Sequence, residues 1–496
     1  MAVALFVVLG AARVLFPGDV PFIADEPLLI EGALNGLESG QLATAGLQGT
    51  RGAAYGAAPT WFYQATLLVT SDLRVVAVVK IVLVTLLTGG GLLLLGRSVE
   101  GLSLPLGAFA FLSPYLWFYA RDLWDNSFGV PLTAVLVGTY AAFHASGRMR
   151  WLVASAGFAV LSLMTHLMTL PLVGAVLLHF VVSHRRRFVE DRSFALASGG
   201  LAAASALALL PYLRTVTSGT AGDLLWSPSP RALLFALDGF RIFTLRGFDY
   251  VIGDWSAWGL APVLVALSCF SYGVGAWGGV LLNRRLRDGD VWEVPGYPGG
   301  DGGRANDRAS SSGDASGALA GVVALTLVFF VIVANGKRLV EHPHYYSGVW
   351  IAFFALWWWG MSDLVHRLWA RRVFVVQFGA MTTFLIGLMV WLHLNVGTRS
   401  LHYGPTLANQ MAVASELDRL GVEDAPPSPA HHPRLFPQAI RVLRRLDARG
   451  RGEGASAAGT DGARDGEVGS PSGYEIVYAR SDGTGGEIAV RRSPDG

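Results

Sequence analysis

The sequence predicts an all-α polytopic membrane protein, and three observations predict it. Hydrophobic residues make up 52% of the 496 and charged residues only 15%, against about 25% charged in an ordinary soluble domain. Mean hydropathy is +0.45. The apolar residues gather into runs near the length of about 20 that crosses a bilayer, and arginines mark alternate gaps between them. Lipid offers backbone amides no partner, so these runs must be helices. A net charge of +2, from 38 basic and 36 acidic residues, supplies no field suited to nucleic acid. Cys269, the sole cysteine, lies in an apolar run, which excludes disulfides and thiolate metal sites.

Eleven runs read as transmembrane helices: residues 2–17, 73–96, 103–120, 127–146, 151–166, 168–184, 194–214, 257–282, 317–335, 347–367 and 373–395. The first is short but lacks the basic start of a signal peptide, and reads as an anchor. Residues 1–395 thus form a transmembrane domain. Orientation follows from the arginines, because short cytoplasmic loops accumulate them. Arg97, then Arg148 and Arg150, then Arg185 to Arg187, then Arg284, Arg285 and Arg287, and lastly Arg367, Arg371 and Arg372 fall on one side. That side is the cytoplasm, which places the N-terminus inside the plasma (inner) membrane and the C-terminus outside it.

This alternation requires the 14-residue stretch from Ala57 to Thr70 to lie at the interface rather than cross, in keeping with its length. Residues 18–72 therefore read as a first outer loop with interfacial helices. Residues 284–316 contain GYPGGDGGRANDRASSSGDASG, the composition of a disordered inner linker. Residues 396–496 form an extracytoplasmic tail with a short amphipathic helix at Thr406 to Leu420. It continues through a low-complexity, partly disordered stretch from Arg449 to Gly473 to a β-hairpin made of YEIVYAR and EIAVRR. The tail is too interrupted to bury a core of its own and is expected to pack on the outer face.

Charges that the topology does not require point to chemistry, since they are costly near lipid. Asp25 and Glu26 follow the first run and precede LLIEGALNGLESGQL, which has the apolar spacing of a short helix. Such a pair suits proton transfer by one carboxylate with the other orienting it; it equally suits capping of a helix start. Arg121, Asp122 and Asp125 stand between the third and fourth runs. Arg121 and Asp125 have the spacing of a helical ion pair, yet Arg121 sits on the side that the positive-inside bias disfavours. Lys80, about 9 Å along its helix from Arg74, either snorkels outward or faces the bundle to meet an anion. His166, in LSLMTHLMTLP, is a packing residue or a site group. The outer loop NGKRLVEHPHYYSG adds Lys337, Arg338, His342, His344 and Tyr345, which suit a phosphate or pyrophosphate or anionic lipid headgroups.

Taken in order, these pieces resemble the C-type glycosyltransferase superfamily, nearest its protein O-mannosyltransferase-like and lipid A aminoarabinose transferase-like branches. The pieces are the short first span, Asp25-Glu26 with EGALNGLESGQL, Pro59-Thr60-Trp61 opening an interfacial segment, and Lys80 in a long span. LSPYLWFYARDLWDN, the His166 segment, HPHYYSGVW and YGPTLANQMAVASEL follow. The likeness covers most of residues 1–420. It implies transfer of a sugar, hexosyl or pentosyl, from a polyprenyl-phosphate donor to an acceptor on the outer face, with inversion. It also implies Asp25 as catalytic base, Glu26 as its neighbour, and a second acidic site residue at Asp122 or Asp125, with Asp125 favoured. Lys80, Arg121, Lys337 and Arg338 become candidates for stabilising the departing phosphate. Two departures stand out: Ala57-Ala58-Pro59-Thr60 where relatives often carry Lys or His and a second proline, and Lys80 in place of arginine.

Two rival readings belong to other classes. A secondary transporter would show an internal repeat and mid-span carboxylates, and neither is visible. A polysaccharide polymerase or ligase acting on lipid-linked glycans would depend on large outer loops rather than on the Asp25-Glu26 pair. The expected partners are the lipid-linked donor, membrane lipids and a lipid, glycan or protein acceptor. No cofactor is implied, although the paired carboxylates are a candidate site for a divalent cation.

Overall fold

The computed structural model describes residues 2–23, 25–49, 54–218, 230–245, 261–287, 291–292, 307–337, 343–400, 403–422, 436–451, 474–479 and 485–492. The chain opens with α1 (Ala2–Ala12), α2 (Asp25–Ser39), α3 (Ala58–Leu67) and α4 (Leu73–Ser98). Next come α5 (Leu104–Gly107), α6 (Pro114–Arg121), α7 (Asn126–Ser146), α8 (Met149–Leu163), α9 (Leu170–Ser183) and α10 (Arg185–Glu190). Then follow α11 (Arg192–Ser218), α12 (Pro230–Leu237), α13 (Ala261–Arg287), α14 (Asp307–Lys337), α15 (Trp350–Leu364) and α16 (Leu368–Leu394). Helices α17 (Leu407–Arg419) and α18 (Phe436–Gly450) precede a hairpin of β1 (Tyr474–Tyr478) and β2 (Ile488–Arg492).

Among the described residues, six helices are long and apolar enough to cross a membrane: α4, α7, Arg192–Arg214 of α11, Val265–Arg287 of α13, Ala315–Asn335 of α14, and α16. The chain is a multi-pass membrane protein, but the expected count of eleven spans is not reproduced among the described residues. The runs at 151–166, 168–184 and 347–367 form the shorter α8, α9 and α15, and the first run forms an α1 of 11 residues. The run at 103–120 is not one helix at all. Pro105 and Pro114 each stand at the first positions of a new helix, and proline cannot continue the helix before it. The run therefore breaks into α5, a 3-10 turn at Ala108–Leu112 and α6.

Helix α7 is the axis of the bundle, buried on every side from Asn126 to His144, as expected of a helix apolar all round. Helix α4 crosses it where two glycines meet: a Cβ on Gly138 would lie 2.4 Å from the Gly91 carbonyl oxygen. Only small residues permit backbones to approach so closely. The main core is aromatic, with Trp350, Trp357 and Trp358 fully buried and Phe109 stacked on Trp357 at 4.4 Å.

A second core joins the first loop to the tail. Leu29, Ile30, Ala33 and Leu34 of α2 meet Val413 and Leu417 of α17, Ile440 and Leu443 of α18, and Ile476 and Ile488 of the hairpin. The hairpin is antiparallel, with Tyr474 opposite Arg492 and Tyr478 opposite Ile488. The Leu407 amide donates to the Val20 carbonyl at 2.9 Å, and Gln438 Nε2 donates to Glu31 at 3.1 Å. Helix α18 lies between the amphipathic helix and the low-complexity stretch of the tail, where no element is assigned from the sequence. Of the stretch read as an inner linker, 284–287 complete α13 and 307–316 begin α14, and 288–290 and 293–306 lie outside the described residues. Residues 452–473 of the low-complexity stretch also lie outside them.

Candidate functional site

Two segments far apart in sequence meet beside α4. The first is the start of α2, where Asp25 and Glu26 are the opening residues and the helix dipole favours both negative charges. Glu26 is buried, and its Oε2 accepts from the Ile23 amide at 3.3 Å. The second is the break between α6 and α7. Helix α6 stops at Arg121 because Asp122 turns extended, with ψ of 137°. Asp122 Oδ1 accepts from the Trp124 amide at 3.1 Å, and Asp125 Oδ1 caps α7 by accepting from the Asn126 amide at 2.7 Å. Tyr63 of α3 locks the segment by donating to the Leu123 carbonyl at 2.5 Å.

Lys80 is the hinge between the two segments. Fully buried, it is turned into the bundle rather than snorkelling, and donates to the Tyr119 carbonyl at 3.2 Å and to the Asp122 carbonyl. Its ammonium faces the carboxylates of Asp122 and Glu26, and lies 5.4 Å from the centre of the Phe128 ring.

Burying carboxyls beside one another resists their ionisation. Burial pushes the Asp122 carboxyl well above the usual range, and the neighbouring Glu26 charge and hydrogen bond add to this against the pull of Lys80. Burial does the same to Asp125, reinforced by Asp25 and Glu26. Asp25 is only partly buried. Burial and the Glu26 charge push it up to about 6, while the Trp124 indole draws it back, facing it without closing a hydrogen bond of full geometry. Asp25 is therefore ionised at neutral pH, with a pKa in the range useful to a general base.

The site also holds polar atoms that the protein leaves unused. Asp125 Oδ2, both amide atoms of Asn126 and Thr60 Oγ1 are buried without a hydrogen-bond partner among the described residues. Aromatic groups form the edge. Tyr55 packs on His166 at 4.1 Å between ring centres, and its hydroxyl is within electrostatic reach of Asp125, Tyr345, Asp25 and Tyr212. Trp124 meets His344 at 4.8 Å, and His344 meets Tyr345 at 4.1 Å. The loop carrying Tyr55 is pinned by a close backbone approach: a Cβ on Gly56 would lie 1.9 Å from the Met164 carbonyl oxygen, to which the Ala58 amide donates at 3.0 Å.

The structure thus brings together Asp25, Glu26, Lys80, Asp122 and Asp125, with His344 and Tyr345 at the edge. It does not bring Arg121 there. That guanidinium, expected to face a phosphate, instead donates to the carbonyls of Arg13, Leu15, Phe16 and Asp19 at 2.7, 2.6, 2.7 and 3.2 Å, and lies over Trp117 at 5.0 Å. The helical pair with Asp125 is absent because the helix ends at Arg121. His166 offers its ring to Tyr55 and accepts from the Met168 amide at Nδ1, 3.1 Å away, the geometry of a packing residue. Arg338 and His342 lie outside the described residues; Lys337 is the last residue of α14.

Thr60, Trp124 and Asn126 sit inside segments singled out in the sequence for other residues, whereas Tyr55 and Tyr212 carry no local signal of their proximity. Among the described residues no group of three or more His, Cys, Asp and Glu is placed to hold a metal ion.

No family model matches the chain, and no curated protein matches it. Among solved structures it matches ArnT from Cupriavidus metallidurans bound to undecaprenyl phosphate, at 15% identity over 92% of this chain and 79% of that one, with a TM-score of 0.44. It also matches the same protein in the apo state, at 15% identity over 92% and 78%, with a TM-score of 0.47.

Proposed function

We propose that the chain is an inverting glycosyltransferase that takes a sugar from a polyprenyl-phosphate donor, with Asp25 as the catalytic base. The observation that carries this reading is the meeting of Asp25 and Glu26 with Asp122 and Asp125 around a buried lysine, beside polar atoms that lack a partner. Each buried unpartnered polar group costs about 1–3 kcal/mol. A substrate rich in hydroxyls relieves that cost.

Asp25 accepts the proton of the acceptor as its nucleophilic atom attacks the anomeric carbon. The bond to the donor oxygen breaks as the new bond forms, and its electron pair leaves with the lipid phosphate. Burial and the Glu26 charge, opposed by the Trp124 indole, keep the base poised near its working pH. Lys80 is a positioning residue: its ammonium balances Glu26 and Asp122 and so fixes the start of α2 against the α6–α7 break. The charge on the departing phosphate is met by the segment from Lys337 through Arg338 and His342 to His344 and Tyr345. That assignment is supported by His344 and Tyr345, which reach Trp124 and Tyr55 at the edge of the cluster. In the plasma membrane this end faces outward, with the N-terminus cytoplasmic.

The test is transfer of label from a panel of radiolabelled polyprenyl-phosphate sugars to membrane fractions, comparing wild type with Asp25→Asn at matched expression. A positioned general base contributes about 10²–10⁴-fold, so transfer of one sugar in the wild type should fall by at least about 100-fold in the variant. Transfer that persists in both Asp25→Asn and Asp125→Asn overturns the mechanism.

A further inference from the structure

The end of the bundle remote from the acidic cluster holds a cavity of about 340 Å³, bordered by Arg284, Arg285, Trp359, Ser362, Asp363 and His366. It opens between α13 and α15 beside Gly101, just past the last turn of α4. Lys80 lies 18 residues before the end of that helix, so the two sites are separated by about 27 Å at 1.5 Å per residue.

Both arginines are held by indoles. Arg285 lies over Trp359 at 5.4 Å and Arg284 over Trp277 at 5.6 Å, which restrains the long side chains before any ligand arrives. Among the described residues neither guanidinium makes a hydrogen bond or an ion pair, although the charge of Glu100 is within reach of Arg285. The one acid on the wall, Asp363, is already engaged, accepting from Trp277 Nε1 at 2.8 Å. Ser362 Oγ accepts from the Ser103 amide at 3.0 Å, leaving its hydroxyl hydrogen to donate. The cavity therefore presents two planar forks, an imidazole and a hydroxyl around a volume far larger than one water.

We infer that this cavity binds the phosphate group of an anionic phospholipid, with Arg284 and Arg285 as paired donors and His366 at the rim. A tetrahedral phosphate diester matches two guanidinium forks through charge-assisted hydrogen bonds. The lipid rather than a soluble phosphate is favoured by position. The arginines end a membrane-crossing helix, and Trp277, Trp359 and Leu281 surround them at the depth where tryptophan and headgroups meet.

The experiment uses the full chain in nanodiscs of phosphatidylcholine alone or with phosphatidylglycerol, read by native mass spectrometry of retained lipid and by the thermal midpoint. Wild type should keep one phosphatidylglycerol, with a midpoint that rises and saturates at one equivalent. Arg284→Gln/Arg285→Gln should lower that retention at least about tenfold, whereas Arg371→Gln/Arg372→Gln, exposed arginines of α16 outside the cavity, should leave it unchanged. Equal loss in both double variants means diffuse attraction to the headgroup layer and overturns the site. Equal retention of phosphatidylcholine and phosphatidylglycerol by the wild type overturns it without relying on any variant. Displacement of the lipid by millimolar inorganic phosphate would make the ligand a soluble phosphate and overturn the lipid assignment.

Discussion

Arg121 and Asp125 are four residues apart and equally buried, yet they serve two regions built on opposite terms. Arg121 closes a collar around residues 13–19: four carbonyls of that turn accept from it, and its face rests on Trp117. Asp125 keeps its Oδ2 without a partner among the described residues, as do Asn126 and Thr60 their side-chain polar atoms. Burying a charge is tolerable when hydrogen bonds inside the chain replace water. For Arg121 that replacement is extensive, although Arg13 Nε and Nη1 in the same turn have no partner among the described residues. At Asp125 it is partial, and on the proposed function the shortfall is where the hydroxyls of a substrate would bind.

The largest effect should come from breaking the collar. Arg121→Met removes the donor and leaves several buried carbonyls unpaired, a loss of about 3–5 kcal/mol on the scale of a broken buried polar network. The thermal midpoint in detergent should drop steeply while the activity of the molecules that remain folded stays near wild type. A variant that keeps its midpoint and loses activity would move Arg121 into the site and dissolve the contrast.

Acid separates the two regions next. With its pKa pushed up to about 6, Asp25 accepts protons freely above that pH and is protonated below it. Transfer rate should fall about tenfold per unit below pH 6. The sign for stability is opposite. An unfolded aspartate has a pKa of about 3.9, so between roughly pH 4 and 6 the folded chain binds the proton more tightly and protonation of Asp25 favours the fold. Rate should therefore decline with secondary structure and thermal midpoint intact, and a parallel decline of both would show that acid opens the cluster instead.

Much of this arrangement is legible in the sequence, and the limits are physical. Length and hydropathy find α4 and α16, which face lipid, and α7, which is buried at the centre of the bundle, because a helix in either setting is apolar over its whole length. They misread 103–120, where composition alone hides the breaks at Pro105 and Pro114. The acidic residues announce themselves because carboxylates are scarce among apolar runs. What cannot be read is direction: nothing local tells that Arg121 turns toward residues 13–19 or that Lys80 turns inward to Asp122. Pairings across α2, α7 and α11 depend on the fold as a whole, which is why no local signal marks Tyr55 and Tyr212. Helix α18 shows a weaker failure of reading. Its Ile440, Leu443 and Leu446 recur at helical spacing among arginines, a pattern visible in retrospect as an amphipathic helix.

The smallest effect is also the sharpest test of the comparison, because it asks for a gain. Asn126 is buried with neither amide atom partnered among the described residues, and its backbone amide donates to Asp125 at the start of α7. Asn126→Leu keeps that amide and a similar volume while removing two unsatisfied polar atoms, which on general grounds is neutral or stabilising by about 1 kcal/mol. If the acidic cluster exists for a hydroxyl-bearing substrate, the same change should lower transfer through a raised KM, because the apolar side chain can neither donate to a sugar nor accept from one. A higher midpoint with weaker substrate binding would show stability set aside for function at this position. A lower midpoint would mean that Asn126 is satisfied within the chain after all, and the cluster would then be built on the same terms as the collar.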